Sequence, residues 1–251
     1  MLNVLVTGSS RGLGLELVKQ LAAHPDLNGG LVVATARKCS PELQNVISLG
    51  QGNVVFVALD VTDQEIIVQS AEKVKSALAG RSLDILINCA GVHSETHGKL
   101  ALMYYILMSD LEYQLSANVT GAHKVLQQHL PLMQTSPLKK VISISSEFGS
   151  MTKAREVSYA RCPAYKISKA ALNALMVQYA LSYEDEGFVF LAVNPGWLQS
   201  DMGGQDADLT VPQGAEAVLN IVMAASDRDN GSFRTIDVPG WGKYDGSIVP
   251  W

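Results

Sequence analysis

The feature of this chain that most constrains its fold lies near its start, where an apolar run leads directly into a glycine-rich turn. Leu2–Val6 is apolar except at Asn3, as is typical of a parallel strand covered on both faces. Thr7–Gly14 (TGSSRGLG) follows, and leucines at helical spacing then indicate a helix: Leu13, Leu17 and Leu21. Such a turn lets the backbone approach a pyrophosphate, and the helix N-terminus favours its charge. The alternative is a turn that simply connects two elements.

Further short apolar runs alternate with helical patterns along the rest of the chain. The predicted strands are Leu31–Ala36, Val54–Leu59, Leu83–Asn88, Val141–Ser146, Phe188–Val193 and Phe233–Val238. Helices are predicted at about 63–79, 110–130, 163–183 and 212–225. This alternation is the pattern of a doubly wound parallel sheet. We therefore predict an α/β fold: a single-domain, Rossmann-type sheet of about seven strands with helices on both faces, spanning residues 1–251.

Composition narrows the classes of function. Hydrophobic residues make up 47% and charged residues 17% of the chain, which suits a compact enzyme and excludes disorder. The net charge of −5 provides no basic surface for nucleic acid or acidic lipid. The longest apolar run, Leu100–Met108, is shorter than the ~20 residues of a membrane helix, and the N-terminus shows no signal segment. We expect a soluble, cytoplasmic protein that binds neither nucleic acid nor membrane.

The cysteines and histidines do not predict a metal or a disulfide. Cys39, Cys89 and Cys162 are too widely spaced for a disulfide framework or a metal knuckle, which favours a reducing compartment. His93 and His97 are four residues apart, but no third ligand lies at a convincing spacing. The apolar run at 100–108 could line a substrate pocket, pack on a partner subunit or form ordinary core.

The end of the second predicted strand indicates which dinucleotide would bind. In dinucleotide-binding sheets this strand end contacts the adenosine ribose, where a carboxylate repels a 2′-phosphate and a cation attracts it. Arg37 and Lys38 stand there without an acidic residue, and Arg11 in the glycine-rich turn can add a further positive charge. These cations predict NADP(H). The alternative is a solvated Arg–Lys pair on a loop.

A candidate catalytic pair lies on the helix that begins at Pro163. Tyr165 and Lys169 are four residues apart and share a helical face, and the strand ending at Ser145-Ser146 can bring a hydroxyl to the same place. A neighbouring ammonium would lower the pKa of the phenol from about 10. The phenol could then donate a proton to a carbonyl oxygen that the serine also holds. By itself, this spacing is more often an exposed Tyr–Lys pair.

Two further positions suggest contacts with a nucleotide, and a third has residues that do not favour the helix predicted there. Asp60 could accept from an adenine amino group with Val61 against the ring, or could only start a turn. The small residues after Asn88 would let backbone lie against a nucleotide, or could form an ordinary strand-end turn. Asn118 and Gly121 lie inside a predicted helix against their helix propensity, and such conflicts tend to mark function or a kink.

Taken in order, these motifs resemble the short-chain dehydrogenase/reductase family over essentially the whole chain. The matching pieces are TGSSRGLG (7–14), Asp60-Val61, Asn88-Cys89-Ala90-Gly91, Asn118, Ser145-Ser146, Tyr165-x-x-x-Lys169 and Asn194-Pro195-Gly196. The ending YDGSIVPW resembles that of the sniffer-like carbonyl reductases, which also tend to have an insert before the catalytic tyrosine.

The resemblance implies a catalytic group of Asn118, Ser146, Tyr165 and Lys169, with Ser145 as the alternative serine. Tyr165 would be the general acid in reduction. Lys169 would bind the nicotinamide ribose and lower the phenol pKa, and Asn118 would hold a water in the proton relay. The expected contacts of NADP(H) are Thr7, Gly8, Ser10, Arg11, Gly12, Leu13, Gly14, Arg37, Lys38, Asp60, Val61, Asn88, Ala90, Gly91, Tyr165, Lys169, Pro195, Gly196 and Trp197.

The chain departs from the family pattern in two places. Cys89 replaces the usual asparagine, and Ser146 and Tyr165 are nineteen residues apart, which is longer than usual. We expect the extra residues, MTKAREVS, to bulge near the mouth of the pocket. Gly203-Gly204 predicts a mobile lid. The substrate-binding candidates are Ser146, Glu147, Phe148, Tyr159, Tyr165, Trp197 and Met202, with His93 as a further one.

These observations predict an NADPH-dependent oxidoreductase that reduces a ketone or aldehyde by hydride transfer, with a hydrophobic carbonyl compound as substrate. Oxidation of an alcohol with NADP⁺ stays open, because the same groups serve both directions. A dinucleotide-binding regulator without turnover and a non-redox, isomerase-type reaction are further alternatives, which the complete Asn–Ser–Tyr–Lys set disfavours. The oligomeric state stays open between monomer, homodimer and homotetramer.

Overall fold

Parallel strands run side by side through the centre of the protein. The computed structural model describes residues 1–27, 29–50, 52–93 and 108–251. In those ranges seven strands form one sheet in the order β3-β2-β1-β4-β5-β6-β7, with every neighbouring pair parallel. The strands are β1 Asn3–Thr7, β2 Leu31–Ala36, β3 Val54–Ala58, β4 Ile85–Asn88, β5 Lys140–Ile144, β6 Val189–Asn194 and β7 Ser232–Thr235. The predicted doubly wound sheet is confirmed.

Helices cover both faces of the sheet. They are α1 Gly12–Ala22, α2 Pro41–Leu49, α3 Gln64–Leu78, α4 Met108–Leu115, α5 Gly121–His129, α6 Pro163–Ser182 and α7 Val211–Ala224. Side chains alternate along β1, so Val4 and Val6 pack in the cluster with α1, α2 and α7, whereas Leu5 packs with α3, α5 and α6. Burying one such side chain completely stabilises the fold by roughly 1.5–3 kcal/mol.

One helix was not expected from the sequence. α2 begins after Ser40, whose hydroxyl accepts the Leu43 N–H at 3.2 Å, and Pro41 occupies its first position. Both are ordinary signals of a helix start, since serine satisfies an unpaired N–H and proline has none to satisfy. The apolar pattern alone is weak there, because Leu43 is the buried residue of this short helix.

The helix predicted at 110–130 is interrupted by a wider turn. Ser116–Thr120 forms a π-helical segment between α4 and α5, and Asn118 lies inside it. Gly121 follows because a Cβ at this position would lie 2.7 Å from the Val61 carbonyl oxygen. The predicted conflict with helix propensity is therefore a local widening of the helix and a close approach between two backbones.

The ends of β1 and β4 are tied together where the strand order reverses. The Thr7 hydroxyl accepts the N–H groups of Cys89 at 3.0 Å and Ala90 at 2.9 Å. Gly8 has a φ of +73°, and a Cβ there would lie 2.8 Å from the Ala90 Cα. In parallel α/β sheets, ligands bind in the crevice beyond the carboxyl ends of the strands at such a reversal. The two turns therefore form the floor of a candidate ligand site.

Several sequence predictions lie outside the described residues. These are His97 of the histidine pair and most of the apolar run at 100–108. Among the described helices, none combines the length and the apolar character needed to cross a bilayer. Nor do the described ranges contain three or more His, Cys, Asp or Glu residues arranged to hold a metal ion.

Candidate active site

A cleft of about 620 Å³ runs along the carboxyl ends of the strands. Its wall contains most of the residues predicted to contact coenzyme or substrate, including Tyr165 and Lys169. Within the described ranges, four predicted residues lie outside this wall: Thr7, Lys38, Asn88 and Asn118. The side chains of Thr7 and Asn88 bond to neighbouring strands instead, Asn88 donating to the Ser143 hydroxyl at 3.4 Å. Lys38 is exposed beside the cleft.

Of the two adjacent serines after β5, Ser146 is the one that reaches Tyr165. Its hydroxyl is close enough to the Tyr165 phenol to lower the pKa of that phenol, and it accepts the Phe148 N–H at 3.2 Å. Ser145 also lines the cleft but is buried, and its hydroxyl donates to the Asn173 carboxamide oxygen of α6 at 2.5 Å. The structure thus brings together Ser146 and Tyr165, as the sequence predicted, and assigns Ser145 to the packing of α6 on β5.

Lys169 lies one helical turn beyond Tyr165 and is almost completely buried, with 4% of its surface exposed. Its Nζ donates to the carbonyl oxygen of Ile144 at 2.8 Å and lies 5.6 Å from the centre of the Tyr165 ring. Burial lowers the pKa of this ammonium from 10.5 to about 8. At neutral pH the ammonium is therefore still mostly charged.

The predicted lowering of the Tyr165 pKa is wrong for this structure. Burial of the phenol is the dominant cause and raises the pKa well above its usual value of 10, while the nearby Ser146 hydroxyl opposes the rise in part. The ring also packs against that of His93, with 4.6 Å between the centroids. Sequence spacing showed that the ammonium would be near, but not that removing the phenol from water would outweigh it.

Asn118 lies behind the cleft and holds the backbone that follows β4. Its carboxamide oxygen accepts the Val92 N–H at 2.8 Å, and its Nδ2 donates to the Val92 carbonyl oxygen at 3.0 Å. The same Nδ2 also donates to the Ser168 hydroxyl of α6 at 2.9 Å. Asn118 therefore connects the π-helical segment, the strand-end turn and the helix that carries Tyr165.

The glycine-rich turn fits the pyrophosphate of a dinucleotide. Gly14 allows the turn to fold onto itself, because a Cβ there would lie 2.3 Å from the Gly8 carbonyl oxygen. In this described part of the chain the N-cap residue Arg11 makes no capping hydrogen bond with its side chain, and the first turn of α1 has no acidic residue. The N-terminus of α1 thus presents N–H groups and a positive dipole to an anion.

Two of the predicted cations, Arg37 and Arg11, belong to the cleft wall, and they have different neighbours. Arg37 is exposed at the end of β2, and its charge helps to hold the pKa of the Asp60 carboxyl below its usual range, after the larger effect of the Thr62 hydroxyl. Asp60 Oδ1 accepts that hydroxyl at 2.6 Å, so it does start the turn. Arg11 pairs instead with Asp201 at 2.5 Å, both being well exposed. Such a pair contributes about 0–1 kcal/mol.

Another part of the cleft wall is aromatic and apolar. Trp197 and Met202 are each about half exposed, and the Trp197 indole donates to the Gly203 carbonyl oxygen at 2.7 Å. Phe148 and Tyr159 face each other edge to face, with 6.2 Å between their centroids. Tyr159, which directly follows MTKAREVS (151–158), lines the cleft, whereas none of 151–158 belongs to its wall. The bulge of that segment near the mouth stays a prediction.

The sequence analysis missed several residues of the wall. The most polar of them are Ser200, Asp201, Lys243 and Tyr244. Asp201 and Ser200 could have been found from their closeness to Met202. Lys243 and Tyr244 come from a segment beyond β7, and the sequence contains no spacing that connects them to the catalytic positions; the one available signal was the resemblance of the ending YDGSIVPW.

Comparisons with known proteins agree with this geometry. The family model described as short chain dehydrogenase matches residues 2–209. An uncharacterized oxidoreductase of Schizosaccharomyces pombe is 30% identical, over 98% of this chain and 96% of the relative. A short-chain dehydrogenase/reductase of Arthrinium sp is 32% identical, over 86% of this chain and 81% of the relative.

Solved structures share the whole fold. A carbonyl reductase from chicken fatty liver with bound NADPH is 28% identical, with a TM-score of 0.86 over 99% of this chain and 94% of the neighbour. A carbonyl reductase from Pseudomonas aeruginosa is 27% identical, with a TM-score of 0.80 over the full length of both. Carbonyl reductase Sniffer of D. melanogaster, at 23% identity and a TM-score of 0.86 over both full lengths, shares the fold.

The buried ammonium of Lys169 predicts a stability that depends on pH. Because its folded-state pKa is about 8, the unfolded chain binds more protons than the folded one from about pH 8 to about pH 10. The free energy of unfolding therefore gains roughly 3 kcal/mol from this group as the pH rises across that window. We expect Lys169→Met to lack this gain, measured by denaturant unfolding of both proteins. A wild-type-minus-variant difference that stays constant with pH would contradict the prediction.

Proposed function

The chain belongs to the short-chain dehydrogenase family, and on this premise we propose that it reduces a ketone or aldehyde with NADPH. The observation that carries the proposal is that Ser146 and the buried Tyr165 phenol lie next to each other in a cleft that the glycine-rich turn also lines. Lys169 lies behind the phenol with its charge held by a backbone carbonyl. The three side chains together can bind and protonate a carbonyl oxygen.

Different residues of the cleft would bind different parts of the coenzyme. The coenzyme supplies the hydride when bound. The glycine-rich turn and the N-terminus of α1 would hold the pyrophosphate. Arg37 would pair with the 2′-phosphate, joined by Arg11 once the phosphate replaces Asp201 as its partner. Lys169 would contact the nicotinamide ribose, and the turn at Pro195–Trp197 would lie against the nicotinamide ring. The NADPH bound to the chicken carbonyl reductase supports this assignment.

Tyr165 is suited to donate a proton. Because burial raises its pKa above the usual value, the phenol is protonated at neutral pH, as a general acid must be. Ser146 can hydrogen-bond the same carbonyl oxygen, on which negative charge develops as the hydride arrives. The ammonium of Lys169 then stabilises the phenolate that is left after the proton has moved.

The protonation state also favours reduction over alcohol oxidation. Oxidation needs the phenolate to remove a proton from the alcohol, and burial disfavours the phenolate. The same groups could work in that direction at a higher pH. For the substrate we propose a hydrophobic carbonyl compound, because aromatic and apolar side chains line the cleft together with Tyr165: Phe148, Tyr159, Trp197 and Met202. p-Nitrobenzaldehyde, an apolar and electrophilic aldehyde, is a suitable first probe.

Tyr165→Phe tests the proposal directly. Removing the phenolic hydroxyl should lower kcat for p-nitrobenzaldehyde by at least about 10³-fold, because no other group of the set can protonate the carbonyl oxygen in its place. NADPH affinity, followed by nicotinamide fluorescence, should change less than about threefold, which is below 1 kcal/mol. Turnover in the variant close to that of the wild type would refute Tyr165 as the acid, and a wild-type protein without NADPH binding would refute the function itself.

The two neighbouring serines provide a matched pair of variants. Ser146→Ala removes a hydroxyl aimed at the reacting oxygen and should lower kcat by roughly 10²–10³-fold. Ser145→Ala breaks the buried bond to Asn173 and should lower the free energy of unfolding by about 1–3 kcal/mol while kcat falls far less. Steady-state kinetics and denaturant unfolding measure the two effects. The assignment fails if Ser145→Ala, and not Ser146→Ala, causes the larger loss of kcat.

Arg37→Ala tests the choice of coenzyme. Losing a charge-assisted contact to the 2′-phosphate should weaken NADPH binding by about 10-fold or more, an energy of roughly 1.5 kcal/mol. NADH lacks that phosphate, so its dissociation constant should hardly change. Fluorescence titration of both coenzymes against both proteins gives the four constants. Equal losses for NADPH and NADH would show that Arg37 does not contact the 2′-phosphate.

A further inference from the structure

A buried phenol from the segment beyond β7 supports the turn that follows β6. Tyr244 is 3% exposed, and its ring packs against Gly196, where a Cβ would lie 3.2 Å from the Tyr244 Cε1. Gly196 has a φ of +77°, so the turn already uses a backbone conformation that favours glycine. The side chain therefore touches the turn at its most constrained residue.

The hydroxyl of Tyr244 holds that turn by accepting one hydrogen bond and donating another. It accepts the backbone N–H of Trp197 at 3.0 Å and donates to the Asp208 carboxylate at 2.6 Å. Lys243 forms an ion pair with the same carboxylate. Burial and the bond to Asp208 raise the pKa of the Tyr244 phenol above its usual value, so it remains the donor to Asp208.

The turn is also held from its other side. The Leu209 N–H donates to the Trp197 carbonyl oxygen at 3.1 Å, and the Asn194 carboxamide donates to the Thr235 hydroxyl at 3.1 Å. Both backbone groups of Trp197 are thus bonded within the protein, and neither needs the coenzyme as a partner. A wall that is rigid before the ligand arrives can set the position of the ligand to a fraction of an ångström.

We propose that Tyr244 and Asp208 are positioning residues for hydride transfer: through Trp197 they fix the Pro195–Trp197 turn, and this turn sets the nicotinamide ring relative to the carbonyl carbon. The inference rests on the proposed function and extends it to a segment that contributes no group to the Asn–Ser–Tyr–Lys set. Hydride transfer is steep in distance, and a small misplacement far from the chemistry can cost a large factor in rate.

The test is a single-turnover measurement on the full chain with Tyr244→Phe. The variant keeps the ring but leaves the Trp197 N–H without its acceptor. We expect the rate of NADPH oxidation, after mixing the enzyme–NADPH complex with p-nitrobenzaldehyde, to fall about 10-fold or more. The NADPH dissociation constant should change less than about threefold, because the phosphate contacts lie elsewhere. Asp208→Asn, which removes the charge but keeps the shape, should change the rate in the same direction by a smaller factor.

Tyr179→Phe is the matched control. Tyr179 is another buried phenol, bonded to His123 at 2.8 Å in the interface of α5 and α6, and it has no contact with the cleft among the described residues. It should lower stability without changing the single-turnover rate. The inference is overturned if Tyr244→Phe and Asp208→Asn both react within about twofold of the wild type, or if Tyr179→Phe loses as much rate as Tyr244→Phe. Wild-type protein without turnover would refute the proposed function, and the inference with it.

Discussion

The ammonium of Lys169 lies in the interior of the protein, where a charge is stable only if hydrogen bonds or an opposite charge compensate it. Its bond to the Ile144 carbonyl oxygen supplies part of that compensation and draws α6 against the end of β5. The same contact brings Tyr165, one turn earlier on α6, next to Ser146, two residues after Ile144. One buried charge therefore determines how two elements meet, and the arrangement of the reactive hydroxyl groups follows from it.

The sheet determines where α6 packs against the end of β5. Thr7 ties the end of β1 to the turn after β4, and Asn118 ties that turn to α6. The glycine-rich turn and the side chains around Tyr165 are thus linked through backbone N–H and C=O groups, which cannot be left unpaired inside a protein without cost. A dinucleotide that spans the cleft would contact both ends of one hydrogen-bonded framework.

The sequence predicted features that depend on neighbouring residues, but not those that depend on contacts between distant parts of the chain. The strands and the Tyr165–Lys169 pair follow from local periodicity, and their positions were correct. The phenol pKa was not, because it depends on how much protein surrounds the ring, and one sequence does not encode that locally. Tyr244 was missed for a similar reason: it reaches Trp197 across 47 residues, through the folding of β7 and the turn after it.

The residues that form the cleft wall are synthesised at different times, because they lie far apart in the sequence. The glycine-rich turn needs β1 and β4, which are made early, whereas the wall at Gly196 is complete only when Tyr244 has been synthesised. The two parts of the cleft wall therefore become available at different times during synthesis, because 154 positions separate Ala90 from Tyr244.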